Sequence, residues 1–283
     1  MGNINLILSI NIKLDRKRRS VTLDQEHYIK SLMEKYGISD SDSKRISTPA
    51  SSSSGLLPKV TTSPEVEIDI GAYQSLLGEL NWSVRGSRPQ NCSTTNRLVQ
   101  NVCGPTEKYM TAAMHLLNYS CNTRKQSLTY SAETNGTNMN RSLPIGHSDA
   151  DFAGHLTRKS TSGSLRMFAG SPITWTSKLQ RTISTSTAEA EYLALFYNAK
   201  EATWIANLLY QIGYADKVEF LEIYGDNKAA IEITKNPVFY AKTRHIDVAT
   251  HYTREPVEEG KITVEYMDTK SQLADCLTKC LKK

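Results

Sequence analysis

The order of apolar runs between residues 144 and 283 leaves this chain few folds to choose from. Ile145 to Asp151 reads as a short strand, Ser164 to Phe168 as a second bounded by Gly163 and Gly170, and Ile173 to Ser177 as a third. From Thr187 to Ile212 the period becomes helical. Tyr192, Leu195, Ala199, Ala202, Ile205, Leu208 and Leu209 share one side, and Gly213 stops the run. A strand follows from Phe220 to Tyr224, then a helix opened by Asp226 and closed by Pro237. Ile246 to Glu259 is helical, with Pro256 kinking it or ending it early. Ile262 to Tyr266 is a last strand and Ser271 to Leu281 a last helix. Strands, helix, strand, helices, strand and helix in this order predict a mixed sheet with helices packed on its faces.

Four carboxylates ride on these elements. Asp149 lies on the first strand, Glu191 early in the long helix, Asp226 at the carboxyl end of a later strand, and Asp275 on the last helix. That end of an open α/β sheet is where ligands bind. Acids gathered from distant elements repel one another in water and persist where a cation holds them. Oxygen ligands of this kind suit Mg²⁺ or Mn²⁺, and two such ions side by side are a common apparatus for cutting a phosphodiester. Each acid also has a plain alternative. A helix glutamate is mostly a solvated surface residue, and Asp226 in front of a helix can simply cap it. Asp151 and Glu189 compete for the same roles; in Ser148-Asp149-Ala150-Asp151, strand alternation puts both acids on one face.

The rest of the chain adds a basic half. Residues 1–143 hold 17 Lys and Arg against 12 Asp and Glu, whereas residues 144–283 hold 17 of each. A basic half beside an acid-bearing one suits a polyanionic partner. Leu6 to Leu14 and Ser20 to Leu23 read as strands of an N-terminal hairpin around the charged turn Asp15 to Arg19. Asp24 is placed to cap the next helix, whose stripe is Tyr28, Ile29, Leu32, Met33 and Tyr36. A Ser, Thr and Pro-rich linker covers about residues 39–64, and helical patterns resume over Ala72 to Trp82 and Pro105 to Tyr119. Ile4 to Ile10 lacks the basic leader and cleavage site of a signal peptide, and no run is apolar for long enough to span a membrane. Five cysteines without a Cys-x-x-Cys read as reduced thiols, which places the chain in the cytoplasm or nucleus. Trp175 and Trp204 fit a core, and His245 and His251 fit structural roles.

Six blocks carry a resemblance. They are Ser148 to Gly154, Arg158 to Gly163, Ala188 to Leu195, Tyr224 to Asn227, Thr243 to Asp247 and Gln272 to Lys279. In order and spacing they resemble the ribonuclease H domain of copia-type retrotransposon Pol polyproteins. Upstream, Leu23 to Ile29, Thr48-Pro49, Tyr73 to Gly78, Ser87-Arg88-Pro89 and Pro105-Thr106-Glu107 resemble the segment after the polymerase active site of the same polyprotein. The departures, such as His155, Ser164, Ala188, Pro256 and Cys280, remove none of the residues matching the family's metal ligands.

The resemblance implies an α/β (α+β) protein. A ribonuclease H-like mixed sheet over 144–283 would follow a mostly helical region, 1–143, like the palm end, thumb and connection of a reverse transcriptase. It implies that Asp149, Glu191, Asp226 and Asp275 are the catalytic residues and hold two Mg²⁺ ions, Mn²⁺ being a substitute. The activity implied is two-metal hydrolysis of the RNA strand of an RNA–DNA hybrid during reverse transcription and transposition, without DNA synthesis. The hybrid is then the partner, with other Pol or Gag products of the element, inside the cell or a virus-like particle and away from membranes. The alternative is an inert transposon remnant that only binds nucleic acid. Ser148, Ser184, Thr185, Ser186 and Asn227 are candidate contacts to the hybrid.

Overall fold

The structure is a computed structural model describing residues 4–43, 46–50, 68–132, 143–214, 221–235 and 247–279. It divides into two compact units, Met1–Glu133 with Lys279–Lys283, and Thr134–Thr278.

In the first unit the expected hairpin is the middle of a larger sheet. Leu8 and Ser9 take left-handed backbone angles (φ 50° and 63°). They split the expected strand into β1 (Leu6–Ile7) and β2 (Ile10–Asp15), which fold back on each other. β2 pairs with β3 (Ser20–Asp24), and the turn between them is held by Asp15, whose carboxylate accepts from the N–H groups of Lys17 and Arg18. A fourth strand, β4 (Leu128–Ser131), pairs with β3 from far along the chain. Four residues isolated from their partner gave no sequence signal.

Asp24 ends β3 and does not sit at the helix cap, which is Gln25. Its carboxylate accepts from the Asn11 amide (2.6 Å) and the Glu26 N–H (3.1 Å) and pairs with Lys13 (3.1 Å). Burial pushes this carboxyl up, but those three partners outweigh it and hold it below the ordinary value of 3.8. A lowered folded-state value means stability that is fully present above the unfolded value and lost as pH falls through the folded one. Asp24→Ala is expected to cost about 1–3 kcal/mol in urea unfolding at pH 7, with a smaller difference at pH 3.

Helices α1 (Glu26–Lys35), α2 (Asp40–Ser43), α3 (Ile70–Ser87), α4 (Cys92–Val99) and α5 (Glu107–Asn122) enclose a core of Ile29, Leu32, Tyr73, Leu76, Leu80, Leu98, Leu116 and Leu117. Asp69 caps α3 by accepting from the Ala72 N–H. Part of the linker region is tied down. The Thr48 carbonyl bonds the His115 ring (3.0 Å), and the Ile46 carbonyl accepts from Asn122 (2.9 Å). Residues 51–64 of it lie outside the described residues. Cys103 is exposed, whereas Cys121 is fully buried and burial pushes its thiol up to about 11. An alkylating reagent at pH 8 is therefore expected to label Cys103 in seconds to minutes and spare Cys121 until the chain unfolds, as read by peptide mass spectrometry.

The second unit runs β5 (Ile145–Asp151), β6 (Thr161–Phe168), β7 (Ser171–Leu179), α6 (Thr187–Gln211), β8 (Leu221–Gly225), α7 (Lys228–Lys235), α8 (Asp247–Glu258), β9 (Ile262–Tyr266) and α9 (Asp275–Thr278). The sheet order is β7-β6-β5-β8-β9. β5, β6 and β7 are antiparallel, whereas β5, β8 and β9 are parallel. This is the mixed sheet that the element order predicts. α6 packs Tyr192, Leu195, Ala199, Ala202 and Ile205 on Leu221, Ile223, Ile262 and Val264.

Three details differ from expectation. β6 and β7 are longer, because pairing across the β6–β7 turn continues past the apolar stretch. Trp204 is 56% exposed, since it falls between the stripe positions Ala202 and Ile205 and points outward; Leu208 is 40% exposed. Among the described residues the last helix is short: after a single turn at Thr269–Ser271 the backbone at Gln272 is extended (ψ 103°), and helix resumes at α9. Pro237, His245 and Cys280 lie outside the described residues, as does the side chain of His251.

Candidate metal centre

Strand register explains why two of the acids meet. In the parallel pair β5–β8, His147 is opposite Tyr224, with ring centroids 5.9 Å apart. Two residues on along each chain, on the same face, come Asp149 and Asp226. Neighbouring strands stand about 4.8 Å apart. These two carboxylates are therefore brought side by side by backbone pairing alone.

Glu191 arrives on α6. Ala190 and Ala194 of this helix pack on Ala150. Small side chains on both sides let α6 lie close to β5 and hold Glu191 at the strand end. One oxygen from each of Asp149, Glu191 and Asp226 lies within 4.8 Å of the other two. Asp149 is buried at 1% exposure.

The competing assignments are resolved by capping. Ser186 is the N-cap of α6 and accepts from the Glu189 N–H. Glu189 turns back to accept from the Thr185 N–H (2.8 Å) and hydroxyl (2.7 Å). This reciprocal arrangement uses Glu189 for the helix start and leaves Glu191 to the acid group. Asn227, whose Oδ1 accepts from the Ala230 N–H (3.1 Å), serves α7. Asp226 is thereby spared that duty. Asp151 lies at the end of β5, outside the group.

Asp275 opens α9 and is half-buried, but it is not among the three gathered acids. What does reach them from α9 is Thr278, whose hydroxyl donates to Asp149 Oδ2. Thr269 likewise donates to Asp226 Oδ2 (2.7 Å). Both threonines escaped the sequence reading. Thr278 sits three residues beyond Asp275 in the same block, which was the available signal. Gly163, paired opposite Asp149, makes room for α9: a Cβ there would stand 2.7 Å from Thr278 Cγ2 and 2.9 Å from the Ala274 carbonyl. Ser148 and Ser184 are buried, Ser148 alternating away from Asp149 and Ser184 bonded to Gln180. Neither offers a surface to a hybrid. Burial holds His147 below its usual value, opposed by a hydrogen bond with Gln272 and helped by the Arg166 charge.

No family model matches the chain. Over 285 residues it is 32% identical to the retrovirus-related Pol polyprotein from transposon TNT 1-94 of Nicotiana tabacum, a match covering 99% of this chain and 20% of that protein. The corresponding protein from transposon RE1 of Arabidopsis thaliana is 30% identical over 276 residues, 97% of this chain and 18% of that protein. The chain belongs to the retrovirus-related Pol polyproteins of transposons. This Pol chain spans about a fifth of the length of those relatives. Among solved structures, LC11-RNase H1 in complex with an RNA/DNA hybrid matches 48% of this Pol chain and 93% of its own, at 14% identity and a TM-score of 0.34. Among the described residues of the Pol chain, no helix is long and apolar enough to cross a membrane.

Proposed function

We propose that residues 144–283 are a ribonuclease H domain that cleaves the RNA strand of an RNA–DNA hybrid, with residues 1–143 as its reverse transcriptase-like neighbour. The observation that carries this is the convergence of Asp149, Glu191 and Asp226, three carboxylates from separate elements within 4.8 Å. An all-carboxylate donor set fits hard divalent cations, Mg²⁺ above all. Asp149, Glu191 and Asp226 would hold two such ions, with Asp275 as the fourth acid at the start of α9. When bound, the ions would activate a water and stabilise the departing 3′ oxygen of the RNA.

The side chains have roles of their own. Thr278 and Thr269 donate to Oδ2 of Asp149 and of Asp226 and restrain both carboxylates. The 2′-hydroxyls of the RNA strand distinguish it from DNA. The hybrid is the principal partner in this reading, other Pol or Gag products of the element are further ones, and the setting is intracellular.

A labelled hybrid incubated with the purified chain and Mg²⁺ tests the proposal, with single-stranded RNA and duplex DNA alongside. Cleavage confined to the RNA of the hybrid is expected. The second reading, an inert remnant that binds nucleic acid, is favoured by one feature, the position of Asp275 outside the gathered group. It predicts retention of the hybrid in a gel without a cut.

A further inference from the structure

One buried amide joins the elements that carry three of the four acids. Gln272 is 4% exposed and sits in the extended break before α9. Its Nε2 donates to the Tyr224 carbonyl (3.2 Å), two residues before Asp226 on β8. Its Oε1 accepts from the Ala274 N–H (3.3 Å), one residue before Asp275. The same amide neighbours the ring of His147 closely enough to influence its protonation, and His147 lies two residues before Asp149 on β5. Around it the chain has further ties to β8: the Met267 N–H donates to the Gly225 carbonyl (2.9 Å) and Thr269 to Asp226.

The joint matters because α9 has little else to hold its start. It is four residues long, too short for a helix to be stable by itself. Its backbone enters from an extended residue, and its packing against the sheet depends on the gap at Gly163. Leu277 and Thr278 are buried there, while Leu273 is exposed. A side chain that fixes residue 274 to the end of β8 therefore sets where Asp275 and Thr278 stand relative to Asp149 and Asp226.

We infer that Gln272 is a positioning residue of the metal centre, holding the start of α9 against β5 and β8 so that Asp275 and Thr278 address the gathered acids. This rests on the metal-centre reading above for its functional meaning, and on the hydrogen bonds alone for its structural content. Its side chain bonds none of the four acids, and its carbonyl accepts from the Asp275 N–H (3.3 Å), so it would act only through the backbone it fixes.

The test uses the whole chain and two readouts, neither of which is activity. Gln272→Met keeps the volume and removes the bonds; Gln272→Glu keeps the acceptor for Ala274 and removes the donor to Tyr224. Hydrogen exchange is followed at residues 267–278 and at Ile262–Tyr266, and Mn²⁺ binding by titration calorimetry. Gln272→Met is expected to speed exchange at Ala274, Leu277 and Thr278 at least about tenfold with β9 unchanged, and to weaken Mn²⁺ binding about 10- to 100-fold. Gln272→Glu is expected to fall between the two. Wild-type exchange at α9, or acceleration spread evenly over the sheet, overturns the inference. If Gln272→Met does not fold, the same comparison is read from Gln272→Glu. Should the wild type neither bind Mn²⁺ nor cut the hybrid, the metal-centre reading fails, and the exchange pattern still decides whether Gln272 positions α9.

Discussion

Asp226→Asn is expected to reduce cleavage of an RNA–DNA hybrid by about 10²–10³-fold or more, while the variant melts at the same temperature as the wild type or slightly higher. The two halves of this expectation have the same cause. Asp226 stands beside Asp149 because β5 and β8 are parallel and in the register His147 opposite Tyr224. Without a cation, three carboxylates within 4.8 Å repel one another, so removing one charge relieves the folded state. Asparagine still accepts the Thr269 hydroxyl in place of Asp226 Oδ2, so the local structure is kept. The lost activity then reports the charge and not the fold. A matched series of hybrid cleavage at several Mg²⁺ concentrations and melting in EDTA checks both. Equal cleavage by variant and wild type would remove these acids from the chemistry.

Gly163→Val is expected to lose stability and activity together. The new side chain has nowhere to go: a Cβ meets Thr278 Cγ2 at 2.7 Å, the Ala274 carbonyl at 2.9 Å and Leu277 Cβ at 3.1 Å. One of these is backbone and cannot rotate away. Relief requires α9 to lift from β6, which withdraws Thr278 from Asp149 and moves Asp275. Overpacking of this kind costs about 1–3 kcal/mol, read as a lower urea midpoint. Gly163 pairs with Asp149 on the neighbouring strand, so the displacement falls directly on the acid group. Hybrid cleavage is expected to fall more than stability alone explains, and supplementing Mg²⁺ should restore part of it. A variant with wild-type cleavage would show that α9 does not need its place.

How much of this could be read in advance differs by element. β5 and β9 fall on the spans expected for them, and α6 starts at its Ser-x-x-Glu cap, because these signals act within a few residues. β4 was missed because four residues become a strand only when β3 lies beside them. The last helix was read too long because apolar spacing continues through Leu273 and Leu277, whereas the extended Gln272 interrupts it. Trp204 was read as core because an aromatic suggests burial, and only its angle on the helix turns it to solvent.

The site shows the same division. Local sequence supplied the acids and the two decoys Asp151 and Glu189, whereas the Ser186 and Asn227 caps that separate them are seen only in the structure. Local sequence also determined the period of each element, since hydrophobic spacing is a property of neighbours along the chain. Which acids meet was decided by the tertiary structure. Parallel pairing of β5 with β8 joins residues far apart in sequence, and the alanine contact of α6 with β5 adds Glu191. The threonines and the glutamine that hold the acids were decided there too, because a hydroxyl or amide acquires its partner only when the chain closes around it.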